Sequence, residues 1–290
     1  MLLDRVAGAP ISWGVSEVPG WGYQLDRDRV LTEMREVGLA ATEFGPDGFL
    51  PDAPGEKAEV LRSYGLAAVG GFVPVVLHDP ARDVMATIDP VLAAFTAAGA
   101  QVLVLSADSG LTGYDERIEL DDSAWRVLFD NLDRIRDVAG ERGITATLHP
   151  HVGTVVERTA EVERVLNGSA IPLCLDTGHL LIGGTDPARL AADVPDRIAH
   201  THFKDVDAAL AERVRGAELS YSEAVDQGMY RPLGQGDVDF AAILGVLQKA
   251  GYAGWYVMEQ DTILHEEPPA GSGPVADVRA SLEYMKGLPR

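Results

Sequence analysis

Apolar and polar positions along the chain fall into two alternating periods. Short runs rich in Val, Ile, Leu and Phe recur at 6–13, 40–44, 66–73, 101–106, 144–149, 171–176, 198–204 and 255–259. Each has the length of a strand, and continuous apolar runs of that length suit strands buried on both faces. Between them apolar residues stand three and four apart, the spacing of one helix face. In 26–37, Val30, Leu31, Met34 and Val37 share such a face, and Gly38 stops it. The same spacing predicts helices at 54–64, 82–98, 121–142, 157–166, 187–194, 238–250 and 275–285. Asp121 or Asp122 supplies an N-cap for the longest of these, and Gly143 closes it. One interval is longer than the rest: 205–236 holds two helical patterns, at 210–215 and 221–227, and reads as an insertion after the seventh strand.

Eight strands alternating with eight helices call for a parallel sheet. At 290 residues the first choice is an α/β fold of the closed (β/α)8 TIM-barrel type, a single domain over 1–290. The alternative, an open doubly wound sheet, carries a glycine-rich phosphate loop after its first strand. The segment after Trp13 (GVSEVPGWG) does not match that pattern. The GSG run at 271–273 reads as a loop before the last helix, not as a linker.

Composition narrows the function classes. Hydrophobic residues make up 46% of the chain, enough for a large core. No run of 18 apolar residues and no signal-peptide pattern is visible, so a cytoplasmic protein without a membrane span is expected. The single cysteine, Cys174 in IPLCLD, makes no internal disulfide and reads as a small core hydrophobe. The net charge of −21 repels the phosphate backbone and anionic lipid, so neither nucleic acid nor a membrane is expected as a partner. It leaves homo-oligomerisation open.

The candidate chemistry gathers at the C-terminal ends of the predicted strands, where barrels place their active sites. The richest stretch is IAHTHFKD at 198–205. Residues two apart share one face of a strand, so His200, His202 and Lys204 point the same way. Three ionisable groups on one buried face require a metal, a substrate or paired charges. The second strand ends in Glu43, the fifth in LHPHVGT (His149, His151), the sixth in LCLDTGH (Asp176, His179) and the eighth in YVMEQD (Glu259, Asp261). Five of the seven histidines lie in these segments. His, Asp, His and Glu from four neighbouring strands make a mixed nitrogen and oxygen site. Such donors suit Mn²⁺, Co²⁺, Fe²⁺ or Zn²⁺. Trp13 is a candidate pocket wall, His78 either reaches the site or caps a turn, and His265 reads as solvated.

These motifs, in this order, resemble the xylose-isomerase-like TIM-barrel superfamily of sugar isomerases, epimerases and dehydratases. GAPISWGV, TEFGPDGFLP and YRPLGQGDVDF narrow the resemblance to the inosose dehydratase group of inositol catabolism, and it spans nearly the whole chain. The resemblance implies Asp176, His202 and Glu259 as metal ligands, with His179 and Lys204 touching substrate hydroxyls. His149 stands where the family often has a ligand glutamate, and is expected as the fourth ligand. The epimerases of the superfamily commonly use two ligand glutamates as paired bases. This chain keeps one of them, Glu259, and its HxH form is like that of the dehydratases.

The reaction so implied is dehydration of a cyclic polyhydroxy ketone such as 2-keto-myo-inositol, assisted by a divalent metal, Mn²⁺ or Co²⁺ first, with Zn²⁺, Fe²⁺ or Mg²⁺ also suitable. An enediolate forms by loss of the α proton, and the β-hydroxyl leaves. Glu259 and Lys204 are the candidate bases, Lys204 through a depressed pKa. His151, His179 or Lys204 is the candidate acid. Glu43 and Arg231 are candidate substrate contacts, Arg231 from a loop able to close over the site. Three other readings stay open: a metal-dependent isomerase or epimerase of a keto-sugar, a non-catalytic sugar-binding barrel, and an endonuclease, which the charge opposes.

Overall fold

The computed structural model describes residues 2–288. Its strands are β1 (Val6–Gly8), β2 (Ala41–Thr42), β3 (Ala67–Ala68), β4 (Gly70–Val75), β5 (Val102–Ala107), β6 (Thr145–Leu148), β7 (Leu173–Asp176), β8 (Ile198–Phe203), β9 (Asp205–Val206), β10 (Tyr230–Arg231) and β11 (Tyr256–Met258). Its helices are α1 (Arg27–Val37), α2 (Pro54–Ser63), α3 (Val84–Ala98), α4 (Asp122–Glu141), α5 (Thr159–Gly168), α6 (Thr177–Ile182), α7 (Pro187–Asp193), α8 (Ala208–Arg215), α9 (Tyr221–Asp226), α10 (Phe240–Lys249) and α11 (Pro274–Gly287). No described helix is long and apolar enough to cross a membrane.

Nine strands form one parallel sheet in the order β3-β2-β1-β11-β8-β7-β6-β5-β4. β3 and β4 are one bent strand interrupted at Val69, and that residue closes the ring. Its N–H donates to Thr42 O on the β2 side at 3.0 Å, and its carbonyl accepts from Val102 N on the β5 side at 3.1 Å. The barrel expected from the alternation is therefore present. Gly70 permits the closure, because a Cβ there would overlap the Val102 carbonyl. Small residues (Ala7, Ala41, Val69, Val104, Cys174 and Val257) fill the lower interior. The larger core lies between strands and outer helices.

The elements follow the predicted ones within a few residues, with two differences. The first strand ends at Gly8, and Pro10–Trp13 is a 3-10 turn instead. Pro10 lacks the N–H that a ladder would need. After the sixth strand a short helix that the pattern did not predict, α6, follows at once, and Asp176 caps it, accepting from His179 N at 2.8 Å.

Residues 205–239 form a cap beside the strand ends: the antiparallel pair β9·β10 with α8 and α9 between its strands. Asp205 fastens it. One carboxylate oxygen accepts from Gly234 N at 2.7 Å and Gly236 N at 2.8 Å, the other from Val206 N at 3.0 Å and Val238 N at 3.1 Å. Asp205→Ala would leave these N–H groups without their acceptor. It is expected to lower unfolding stability by about 3 kcal/mol in urea titration, a midpoint equal to wild type being the contrary result.

Candidate metal centre and active-site cleft

Strand register brings the site together. In β8 the inward positions are His200 and His202, both buried. A register shift between β7 and β8 skips Ala199, so Cys174 pairs with His200 and Asp176 with His202. On the other side Val257 pairs with His202, and Glu259 N donates to Phe203 O at 3.0 Å. Asp176, His202 and Glu259 thus stand side by side at the ends of three adjacent strands.

His202 is held between carboxylates. Its Nε2 donates to Glu43 Oε1 at 3.0 Å, and His200 Nε2 donates to the same oxygen at 2.8 Å. That arrangement leaves His202 Nδ1 facing Glu259 Oε2 at 3.2 Å and Asp176 Oδ2 at 3.5 Å. Nδ1 has no hydrogen-bond partner of adequate geometry. Asp176, His202 and Glu259 offer ligand atoms all within 4.8 Å of one another. His149 adjoins them, with Nε2 at 3.0 Å from Asp176 Oδ2, and its own Nδ1 is also unpartnered. A carboxylate behind an imidazole, orienting its far nitrogen toward oxygen donors, is the usual support of a metal-ligating histidine. These residues fit a divalent ion with mixed nitrogen and oxygen preference.

The electrostatics agree. Burial disfavours charge on His202, but Glu259 and Glu43 override it and hold the imidazolium well above its ordinary range. Burial would raise Glu43, yet His202 and His200 keep its carboxyl well below normal. Burial likewise opposes ionised Asp176, and Lys204 and His179 reverse the effect. The same acids that favour the His202 imidazolium would favour a metal cation beside its Nδ1.

Two further histidines flank this centre. His151 donates from Nδ1 to Val152 O at 2.7 Å, which assigns the proton to Nδ1 and leaves Nε2 as an acceptor. Burial, with His149 and Lys204 nearby, holds His151 well below its usual pKa, so the ring is neutral. His179 stacks on it with centroids 3.7 Å apart. His179 is also kept neutral, by burial and then by His151 and Lys204. Both Val152 N and Lys204 Nζ approach its nitrogens, at 3.4 and 3.2 Å, and compete for its single lone pair.

Lys204 departs from expectation. A depressed pKa was expected; burial does push that way, but Asp261, Asp176 and Glu259 prevail and raise it well above the ordinary lysine range. Its Nζ lies 2.7 Å from Asp261 Oδ1 and 3.1 Å from Glu259 Oε2. It is an ammonium, not a base. Gly178 allows its approach, since a Cβ there would come within 2.7 Å of Lys204 Cβ.

A cleft of about 450 Å³ opens onto these groups. His149, His151, His202, Lys204, Glu259 and Asp261 line it, together with apolar residues that include Ile11, Phe72, Val73 and Pro74. Several expected site residues lie elsewhere. Trp13 is wholly buried in the core, and its indole N–H donates to Glu33 at 2.9 Å. Arg231 is half-exposed, paired with Asp207 at 3.3 Å, and does not line the cleft. His179 stands one layer back, turned by the α6 cap behind His151 and Lys204. Glu43 borders the cleft, but its Oε1 is committed to two histidines. His78 stays outside the cleft, and the exposed His265 pairs with Asp226 at 2.8 Å.

The sequence reading missed the second neighbourhood of Lys204. Asp261 accepts from Tyr221 Oη at 2.6 Å, and Tyr221 and Tyr230 hydroxyls meet at 2.9 Å. Tyr114 packs on Tyr221 with centroids 4.6 Å apart. The available signal was Asp261 two positions beyond Glu259, on the same strand face.

The family model of the xylose isomerase-like TIM barrel matches residues 25–288. An inosose dehydratase of Geobacillus kaustophilus (strain HTA426) is 33% identical over 98% of this chain and 94% of its own length. The rhizopine catabolism protein MocC of Rhizobium meliloti is 33% identical over 89% of this chain and 81% of its own. Among solved structures, that of L-ribulose 3-epimerase is similar with a TM-score of 0.69 and 16% identity, covering 97% of this chain and 93% of that one. That likeness is one of fold.

Because metal must displace the proton on His202, binding of Mn²⁺ is expected to release about one proton near neutral pH and to tighten as pH rises toward the raised His202 pKa. Calorimetry in buffers of different ionisation enthalpy measures this; pH-independent affinity would contradict it. Glu43→Gln is expected to weaken that binding about 10- to 100-fold while the protein stays folded.

Proposed function

The chain belongs to the xylose isomerase-like TIM barrel family, and from that premise we propose that it is a divalent-metal-dependent hydro-lyase dehydrating a cyclic polyhydroxy ketone of the inosose type. The observation that carries the reading is one cleft lined by His202 and Glu259, with Asp176 of the same trio buried behind them, beside a neutral imidazole and a buried ammonium. The inosose dehydratases similar to this chain over nearly its full length support the substrate class.

In this reading Asp176, His202 and Glu259 hold the ion, with His149 beside Asp176 as the further donor. Mn²⁺ or Co²⁺ suits that set best. When bound, the ion supplies Lewis acidity to the ketone and so acidifies the neighbouring C–H. The chain's own residues carry the protons. His151, neutral and with a free Nε2, takes the α proton. The electron pair of that C–H bond becomes a C=C bond as the β-hydroxyl departs. Lys204 gives the departing oxygen a proton, so it leaves as water. The resulting enol tautomerises to a trihydroxycyclohexane dione. Glu259, expected both as a ligand and as a candidate base, acts here as a ligand alone. Burial would raise it, but His202 and Lys204 lower its carboxyl, which keeps it ionised beside Asp176 and His202. Ile11, Phe72 and Pro74 line the same cleft and offer the ring of the substrate apolar contact.

An epimerase would need a second proton-transfer group opposite Glu259. His149, in the position of that group, is engaged by Asp176 at 3.0 Å.

Purified protein incubated with 2-keto-myo-inositol and Mn²⁺ or Co²⁺ is expected to produce the absorbance of the dione. His151→Ala should lower kcat on the order of a thousandfold, with the circular dichroism spectrum unchanged. Bound metal without dione would transfer the reading to an isomerase or epimerase of another keto-sugar. A wild-type rate in His151→Ala would remove His151 from its role.

A further inference from the structure

Lys204 is one of four lysines in the chain, and it is buried whereas Lys249 and Lys286 are exposed and Lys57 is half-buried. Its ammonium has three N–H groups to place. Within reach are Asp261 Oδ1 at 2.7 Å, Glu259 Oε2 at 3.1 Å, His179 Nε2 at 3.2 Å and Asp176 Oδ2 at 3.6 Å. Asp176 and Glu259 belong to the trio that would hold a metal, so a bound ion competes with Lys204 for both. Asp261 belongs to none of the metal-competent groups among the described residues. It is the carboxylate left to hold the ammonium when the ion is in place.

Asp261 is itself oriented from outside the cleft. Its second oxygen accepts from Tyr221 Oη at 2.6 Å. That uses the only hydroxyl hydrogen of Tyr221, so in the 2.9 Å contact between the two phenols Tyr230 is the donor. A directed chain results: Tyr230 to Tyr221, Tyr221 to Asp261, with Lys204 donating to the other Asp261 oxygen. Each donor polarises the next, and in a buried network such links reinforce one another. The Tyr230 ring also lies beneath the ammonium, 5.4 Å from Nζ to centroid. Tyr221 is fixed in turn at the start of α9, where its N–H donates to Asp115 at 2.9 Å and Ser220 forms a capping box with Glu223. Tyr221 is wholly buried and does not line the cleft.

We propose that Tyr221 is a positioning residue which, through Asp261, aims the Lys204 ammonium into the cleft, so that the insertion after β8 sets the proton donor of the site. The role given to Lys204 rests on the dehydratase reading; its placement rests on the geometry alone. The isosteric variants Asp261→Asn, Tyr221→Phe and Tyr230→Phe should lower kcat in graded order, by about a hundredfold, about tenfold and about twofold, as links to a charged group are removed from progressively further away. In Tyr221→Phe and Tyr230→Phe, KM should stay within about twofold and metal content should not change, because neither phenol lines the cleft or belongs to the metal trio. Residues that only fill space would leave kcat unchanged in Tyr221→Phe.

A second readout does not depend on turnover. The exposed lysines exchange their ammonium protons with water too fast to be seen, whereas a buried, hydrogen-bonded ammonium gives a ¹H–¹⁵N signal. The Lys204 signal should shift in Tyr221→Phe and broaden or vanish in Asp261→Asn. Wild-type kcat together with an unmoved signal in both variants would overturn the proposal. If the wild-type protein does not act on the cyclic ketone, the dehydratase reading fails, and the signal alone decides: a shift in Tyr221→Phe supports the placement, an unmoved signal refutes it. Should Tyr221→Phe not fold, Asp261→Asn carries the same decision.

Discussion

Three buried carboxylates, Glu43, Asp176 and Glu259, surround one imidazole, and much of the upper barrel is arranged around that fact. Buried like charges are tolerated only when cations share the space. Here the cations within reach are His202, forced into its protonated form, and Lys204. Asp261 adds a fourth buried acid beside Lys204. A pocket with this excess of negative charge and an unpartnered imidazole nitrogen suits a divalent ion better than protons. Glu43 shapes the same point from behind: by accepting from two histidines at one oxygen, it fixes which nitrogen of His202 faces the other acids.

Backbone register delivers these groups to one place. The shift that skips Ala199 sets Asp176 opposite His202, and the parallel pairing of β11 with β8 brings Glu259 alongside. The lower barrel is filled by small side chains, which leaves the larger polar ones at the strand ends. Gly70 and Gly178 permit two close approaches, one closing the ring and one seating α6 against Lys204. The insertion contributes differently. Asp205, last in the stretch with His200 and His202, turns away from the cleft and ties down the loop before α10, while Tyr221, itself met by Tyr230, reaches back to Asp261.

Much of this was legible because strands and helices carry different hydrophobic periods. Alternation of the two implied the barrel, and the barrel implied that strand-end residues are functional. His149, Asp176, His202, Lys204 and Glu259 were found in that way, and the structure brings them together. Trp13 was misplaced because the strand expected over 6–13 stops at Gly8, and the turn that starts at Pro10 carries Trp13 into the core. Arg231 was misplaced because a loop position does not disclose its partner, which proved to be Asp207. The behaviour of Lys204 ran opposite to expectation because the effect of burial was outweighed by three acids from two other segments, the ends of β7 and β11.

The sequence by itself determined the element order, the barrel and the kinds of groups available at each strand end, since these depend on local periodicity and on residue chemistry. Only the tertiary structure decided which nitrogen of His202 is free, which histidine is neutral, and that Lys204 stays charged. Those properties arise from electrostatic and hydrogen-bonding contacts of a few ångströms between residues far apart in the chain, such as Glu43 with His202 and Tyr221 with Asp261. Contacts of that range depend on register and side-chain direction, which no local pattern of apolar and polar positions encodes.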